Sequence, residues 1–203
     1  MSNNKIQSRK EENYRKILDT SWDIAIKDGL ESLSVRKVAA ALDFAPNNLY
    51  NYFKNKNELI YQLKKDAYEW TISVVLGDIP NDVTVKELIE TLCYRLMDIA
   101  IKEPERYFVM TSDLIMDSEE PLDQQIHNFV ADQIERGIEY GEFRMVDPEM
   151  TATNIRTTLI SFLRWISSHK NLTKDQANSY LDNLLSMIFN GISADTNGIK
   201  ESK

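Results

Sequence analysis

The chain has one cysteine, Cys93, and two histidines, His127 and His169, in 203 residues. A single thiol closes no internal disulfide, and these three side chains offer no zinc cluster, so no metal and no cofactor are expected. Glycine and proline are scarce, at 6 and 5 residues. With so few breakers among frequent Leu, Ile, Lys and Glu, long helices are favoured. No segment sustains a period-two alternation, so no strands are expected and the fold class is all-α. No apolar run approaches the roughly 20 residues of a membrane span. The opening MSNNKIQSRKEEN lacks the apolar stretch of a secretory signal, so a reducing cytoplasm is the expected location. G-x-S-x-G, P-loop and G-x-G-x-x-G patterns are absent, and neither histidine has an identifiable partner, so no catalytic residues and no enzyme are expected.

Positive charge is also short, with 24 Lys and Arg against 32 Asp and Glu. The deficit is uneven. Residues 1–56 hold ten cations and seven carboxylates, a balance of +3, and the remainder holds fourteen and twenty-five, a balance of −11. A basic head on an acidic body is the asymmetry expected if only the head meets phosphate, although chance variation between two surfaces gives the same numbers.

The helical periodicity divides the chain into about nine helices, three short ones in the head and the rest in the body. An amphipathic helix is expected from about Arg9 to Asp28, carrying Tyr14, Ile17, Leu18, Trp22, Ala25 and Ile26, with Gly29 as its stop. Ser34 caps a short helix from Val35 to Leu42. Pro46 fits the first position of a third helix of about two turns. Asn55 with Glu58, Thr84 with Glu87, and Thr173 with Gln176 have capping-box spacing and open further helices. Pro104, the segment from Ser118 to Pro121, and Asp147 with Pro148 mark three more starts. The expected domains are residues 1–56, a helix-turn-helix; 57–192, a helical body; and 193–203, a frayed tail.

The second and third head helices form a helix-turn-helix candidate. Val38, Ala39 and Leu42 suit packing against Leu49 and Phe53, with Ile17, Leu18 and Ala25 closing the core. That leaves Asn47, Asn48, Asn51 and Tyr52 on other faces. Asn can present a donor and an acceptor to a base edge in the major groove, and Tyr can give its hydroxyl to a phosphate. Ser34 at a helix start offers a hydroxyl and N–H groups to an anion, and Arg36, Lys37, Lys54 and Lys56 add charge. The bland alternatives stay open: Asn47 and Asn48 as simple helix starters, Tyr50 and Tyr52 as lids on the small core.

SVRKVAAAL, a three-residue turn and LYNYFKNKNEL resemble the TetR family of bacterial transcriptional regulators over about residues 10–60. The resemblance implies that Ser34, Arg36, Tyr50, Tyr52 and Lys56 hold phosphates, and that Asn47, Asn48 and Asn51, with Pro46 nearby, face the major groove. Lys37 joins them as a DNA-contact candidate by its charge. Two departures stand out. Asp43 sits where the family's turn often has Gly, and Asp tolerates positive φ better than most residues. Ala45 sits where Ser or Thr caps the recognition helix, which costs about 1 kcal/mol locally.

In the body, Ile155, Leu159, Phe162, Leu163 and Ile166 form one apolar helix face, and Ala177, Leu181, Leu184, Leu185 and Ile188 form another. Intramolecular core is the plain reading of both. The resemblance implies a homodimer built from these last two helices, with Leu159, Phe162, Leu163, Ile166, Leu181, Leu184, Leu185 and Ile188 as interface candidates. Trp70, Cys93, Tyr94, Met97, Tyr107, Phe108, Met110, Phe129 and Trp165 are scattered over several helices. Met and aromatic linings suit an adaptable apolar pocket, though each residue could equally be core. The resemblance implies a small-molecule effector there, expected to be largely apolar. The expected function is a dimeric, ligand-responsive regulator, a repressor of a palindromic operator in double-stranded DNA. The alternative is a helical protein-interaction module without DNA binding.

Overall fold

Local capping patterns set most of the helix starts. The structure, a computed structural model, describes residues 2–80, 82–112 and 121–194, with side chains described for 7–80, 82–112 and 124–194. Nine α-helices run through the described residues: α1 (Ser2–Asp28), α2 (Val35–Ala41), α3 (Pro46–Tyr50), α4 (Lys56–Val75), α5 (Val85–Lys102), α6 (Pro104–Thr111), α7 (Pro121–Glu139), α8 (Pro148–Ser168) and α9 (Lys174–Ile192). A 3-10 turn at Leu30–Ser32 joins α1 to α2. Thr84 and Thr173 each complete a capping box, with Glu87 and Gln176 respectively. Asp147 accepts from the Met150 N–H ahead of Pro148. The expected start between Ser118 and Pro121 lies partly outside the described residues; α7 begins at Pro121.

The chain forms two compact units. The first comprises residues 1–70 with 108–110, and the second comprises 71–107 with 111–203. The expected domain boundary after residue 56 falls at the start of α4, whereas the packing boundary falls at Trp70. The reason is the apolar face of α4: Leu59, Leu63 and Ala67 are fully buried. Three polar contacts fix the same stretch to α1. Tyr14 Oη donates to Gln62 at 2.9 Å, Trp22 Nε1 donates to Asp66 at 3.1 Å, and Arg15 pairs with Asp66 at 3.3 Å.

In this first unit α1 is long, 27 residues, not one of three short helices. Its buried face is Ile17, Leu18, Ser21, Trp22, Ile24 and Ala25. Ile26, expected on that face, is exposed at 53%, because one residue past Ala25 is about 100° further round the helix. Gly29 stops α1 with φ +83°, a left-handed value that glycine adopts without strain.

In the second unit, α7 packs on α8, and α5 packs on α7, α8 and α9. Met97, Ile134, Leu163 and Leu181 fill the centre at 0% exposure. The turn after α7 closes the unit. Gly137 lacks a Cβ where one would meet the Phe143 ring at 2.2 Å, so any other residue there would displace that ring. The Glu142 carboxylate accepts from the Val85 and Lys86 N–H groups at 3.0 and 3.1 Å. An anion on the first N–H groups of a helix is favoured by both the free donors and the dipole. Phe143 pairs with Ser193, and the Ala194 N–H reaches Glu142 O at 3.1 Å. The first two residues of the expected frayed tail are therefore tied down by backbone hydrogen bonds. Residues 195–203 lie outside the described residues.

Candidate nucleic-acid interface

The α2–α3 pair is built on a dry core. Val38, Ala39 and Leu49 are at 0% exposure, with Leu33 and Phe53 at 1%. Phe53 stacks on Tyr14 with ring centroids 5.5 Å apart. The Ser34 side chain accepts from the Lys37 N–H at 3.1 Å and so caps α2. The turn survives without glycine: Asp43 adopts φ +54°, and the Phe44 N–H bonds Ala39 O at 2.9 Å. Ala45 gives α3 no side-chain cap.

Helix α3 is shorter than the expected two turns. It spans five residues, with Asn51 as its C-cap. Tyr52 and Phe53 lie past it, although both of their N–H groups bond Leu49 O at 2.9 Å. The helix ends there because Phe53 turns into the core and Asn55 must cap α4, where it accepts from the Glu58 N–H at 2.9 Å.

Pro46, Asn47, Asn48, Tyr50 and Asn51 are exposed around this core. At 100° per residue, Asn47, Asn48 and Asn51 fall within about 100° of arc. Leu49 lies opposite, fully buried. Three amides thus share one solvent face, and each offers the donor and acceptor pair that reads an adenine edge. Tyr52 is half-buried, and its hydroxyl accepts from Asn13 Nδ2 at 3.4 Å.

The cations divide into two groups. Arg36 and Lys54 are exposed. Lys37 and Lys56 each have a partner within the chain. The Lys37 ammonium pairs with Asp28 at 2.8 Å and donates to Ser32 Oγ at 3.2 Å. Its hydrogen bond holds the Asp28 carboxyl below the ordinary range. Lys56 donates to Glu31 O at 2.7 Å. Both lysines brace the α1–α2 connection. Neither those partners nor Asn13 could be found from the sequence, because the contacts run between separate elements and follow no helical spacing.

The body candidates are redistributed. Leu159, Leu163, Ile166, Leu181 and Leu185 are between 0% and 8% exposed within the single chain, so they pack inside it. Only Phe162, Leu184 and Ile188 of that set are half-exposed. The expected pocket residues differ in burial. Trp165 is 40% exposed and Phe108 49% exposed. Trp70 and Phe129 are half-buried. Cys93, Met97, Tyr107 and Met110 are buried core residues. Burial pushes the Cys93 thiol up to about 12, which keeps it protonated and unreactive. Tyr94 donates to Asp182 and borders a cleft of about 190 Å³ along α5 and α9, lined among others by Lys86, Glu90, Phe189 and Asn190. Trp165 instead joins a surface group: it meets Tyr180 edge-on at 5.3 Å and Phe162 at 6.3 Å.

Residues 17–63 match the family model described as bacterial regulatory proteins, tetR family. An uncharacterized HTH-type transcriptional regulator of Mycobacterium tuberculosis is 26% identical over 130 residues, 64% of this chain and 59% of its own length. The fatty acid metabolism regulator protein of Bacillus subtilis is 29% identical over 79 residues, 39% of this chain and 41% of its own. The matched region thus spans well under two thirds of either curated relative. The fatty acid degradation regulator FadR of Bacillus halodurans shares the fold, with a TM-score of 0.72 and 17% identity, covering 87% of this chain and 94% of that one. Among the described residues no helix is long and apolar enough to cross a membrane. The α2–α3 motif lies inside the matched segment, so residues 17–63 are similar to the tetR family of bacterial regulatory proteins, and the chain shares its all-α fold with solved regulators of that family.

Proposed function

We propose that this protein is a homodimeric transcriptional repressor that binds a palindromic operator through α2 and α3 and releases it when a small molecule enters the body. The observation that carries the reading is the amide face of α3. Asn47, Asn48 and Asn51 stand exposed on a helix whose opposite side is anchored by a fully buried Leu49. A rigid helix with three amides on its free side suits base readout in the major groove. Arg36, Tyr50, Tyr52 and the Ser34 hydroxyl flank it and take phosphates, and Lys56 contributes charge from its place on the α1–α2 connection.

One short helix reads few base pairs, so two copies on a two-fold axis are needed. The exposed apolar residues of α8 and α9 support that pairing. Trp165, Tyr180 and Met187 are 40%, 50% and 68% exposed, beside half-exposed Phe162, Leu184 and Ile188. An apolar row of this extent on a charged protein marks a protein-binding surface.

The effector is a largely apolar molecule, and relatives named for fatty acid metabolism and degradation favour an acyl compound. It acts by preferring the form that fits the operator less well, and it shifts the equilibrium only by that difference in affinity. The test is selection of duplexes from a random-sequence pool followed by gel shift. A palindromic site bound by two protomers is the expected result. No binding to any duplex at low salt would sink the regulator reading and leave a helical protein-interaction module.

A further inference from the structure

We infer that the N-terminal part of α1 around Arg9, Lys10 and Asn13 is a second phosphate-binding surface, which holds the DNA backbone outside the stretch spanned by α2 and α3. The inference rests on the operator-binding reading above and adds residues to it. Asn13 touches the hydroxyl of Tyr52 at 3.4 Å, so this point of α1 borders the edge of the head that carries Tyr52. Helix α1 does not end there. It runs on for more than two turns ahead of Asn13.

Arg9 and Lys10 lie four and three residues before Asn13, on the same side of the helix and one turn, about 5 Å, further along. Both are exposed, and neither is held by a hydrogen bond or ion pair among the described residues. Of the nearby carboxylates, Glu12 is held chiefly by Lys16 at 2.7 Å and feels the charge of Arg9 more weakly, and Glu11 points to the opposite side of the helix by its position, about 160° from Asn13. Arg15 is committed to Asp66. Two free cations in helical phase with a residue already at the proposed DNA edge form a charged extension of that edge. A polyanion with regularly spaced phosphates is the partner that such an extension fits, because it gives each cation its own charge to meet. Side chains of this kind hold a protein on the duplex without reading its sequence.

The experiment uses the full chain and the duplex recovered by random-sequence selection, with Kd measured against salt for wild type, Arg9→Gln/Lys10→Gln, Arg36→Ala and Lys170→Gln. Lys170 is an exposed cation of the body and controls for net charge. The double variant should bind about tenfold more weakly at moderate salt. Its plot of log K against log salt should be shallower by about 0.9 for each phosphate that the variant no longer neutralises. The selected sequence should not change, and Lys170→Gln should behave as wild type. The inference is overturned if Arg9→Gln/Lys10→Gln keeps the wild-type Kd and slope while Arg36→Ala loses affinity, an outcome that leaves the operator reading standing. It is overturned equally if Lys170→Gln weakens binding as much, or if the double variant changes the preferred sequence. Absence of binding by the wild type is a different result: it removes the operator reading itself and this surface with it.

Discussion

The α2–α3 pair and the α8–α9 pair both bury an apolar face and leave the other side in water. They differ in what that other side carries. Around α3 it is Asn47, Asn48, Asn51 and Tyr50, with Arg36 nearby on α2. Along α8 and α9 it is Trp165, Tyr180 and Met187. Burial alone says the two pairs are equally well made. The chemistry of the exposed side separates a surface suited to a hydrated polyanion from one suited to another apolar surface.

The comparison breaks most sharply in the cores. Leu49→Ala and Leu181→Ala each remove a side chain at 0% exposure and should each cost about 2–5 kcal/mol. Urea unfolding measures the cost. Leu49→Ala should abolish DNA binding and leave self-association intact, and a variant deficient in both would show that the two units do not fold separately. Trp165→Asp should act the other way. A buried aromatic anchor in an interface is worth about 2 kcal/mol or more, so sedimentation should show monomers while the circular dichroism of the fold is retained.

Base readout comes next. Asn48→Ala or Asn51→Ala should remove about 1–3 kcal/mol of discrimination at one base pair per half-site. Repeating the selection checks this, and an unchanged site would place base readout at Asn47 or in α2. Ala45→Ser restores the missing cap of α3 and should add about 1 kcal/mol to the stability of the head, read as a higher urea midpoint. The smallest effect is expected at Asp28. Asp28→Asn frees the Lys37 ammonium and removes a carboxylate near the α2 start, so affinity for any duplex should rise roughly threefold at low salt. A fall in affinity would mean that the pair's bracing role outweighs its charge.

How much could be read from the sequence follows from the range of the interactions. Capping boxes at Thr84 and Thr173, the Asp147 cap and the Pro46 start are contacts within one helical turn, and their spacing shows them. The division of NNLYNYF into core and surface residues was legible for the same reason. Helix phase assigns Leu49 and Phe53 to one side and the three Asn to the other. The length of α3 was not legible, because its end is set by where Phe53 docks and where α4 must begin. The body faces were harder still. Leu159 and Leu163 on α8, or Leu181 and Leu185 on α9, look the same in periodicity whether their partner is another helix of the chain or another chain. Only packing shows that these four are covered from within.

The all-α class, most helix starts, the head motif and the charge contrast between head and body are encoded locally, because each depends on neighbours within a few residues or on composition. The tertiary structure decided which cations remain available and which aromatics face water. It paired Lys37 with Asp28, set Lys56 on the Glu31 carbonyl and placed Trp165 beside Tyr180 on the surface. It also joined Glu142 to the start of α5 across 57 residues of chain. Contacts of that range depend on how whole helices pack, and no local spacing encodes them.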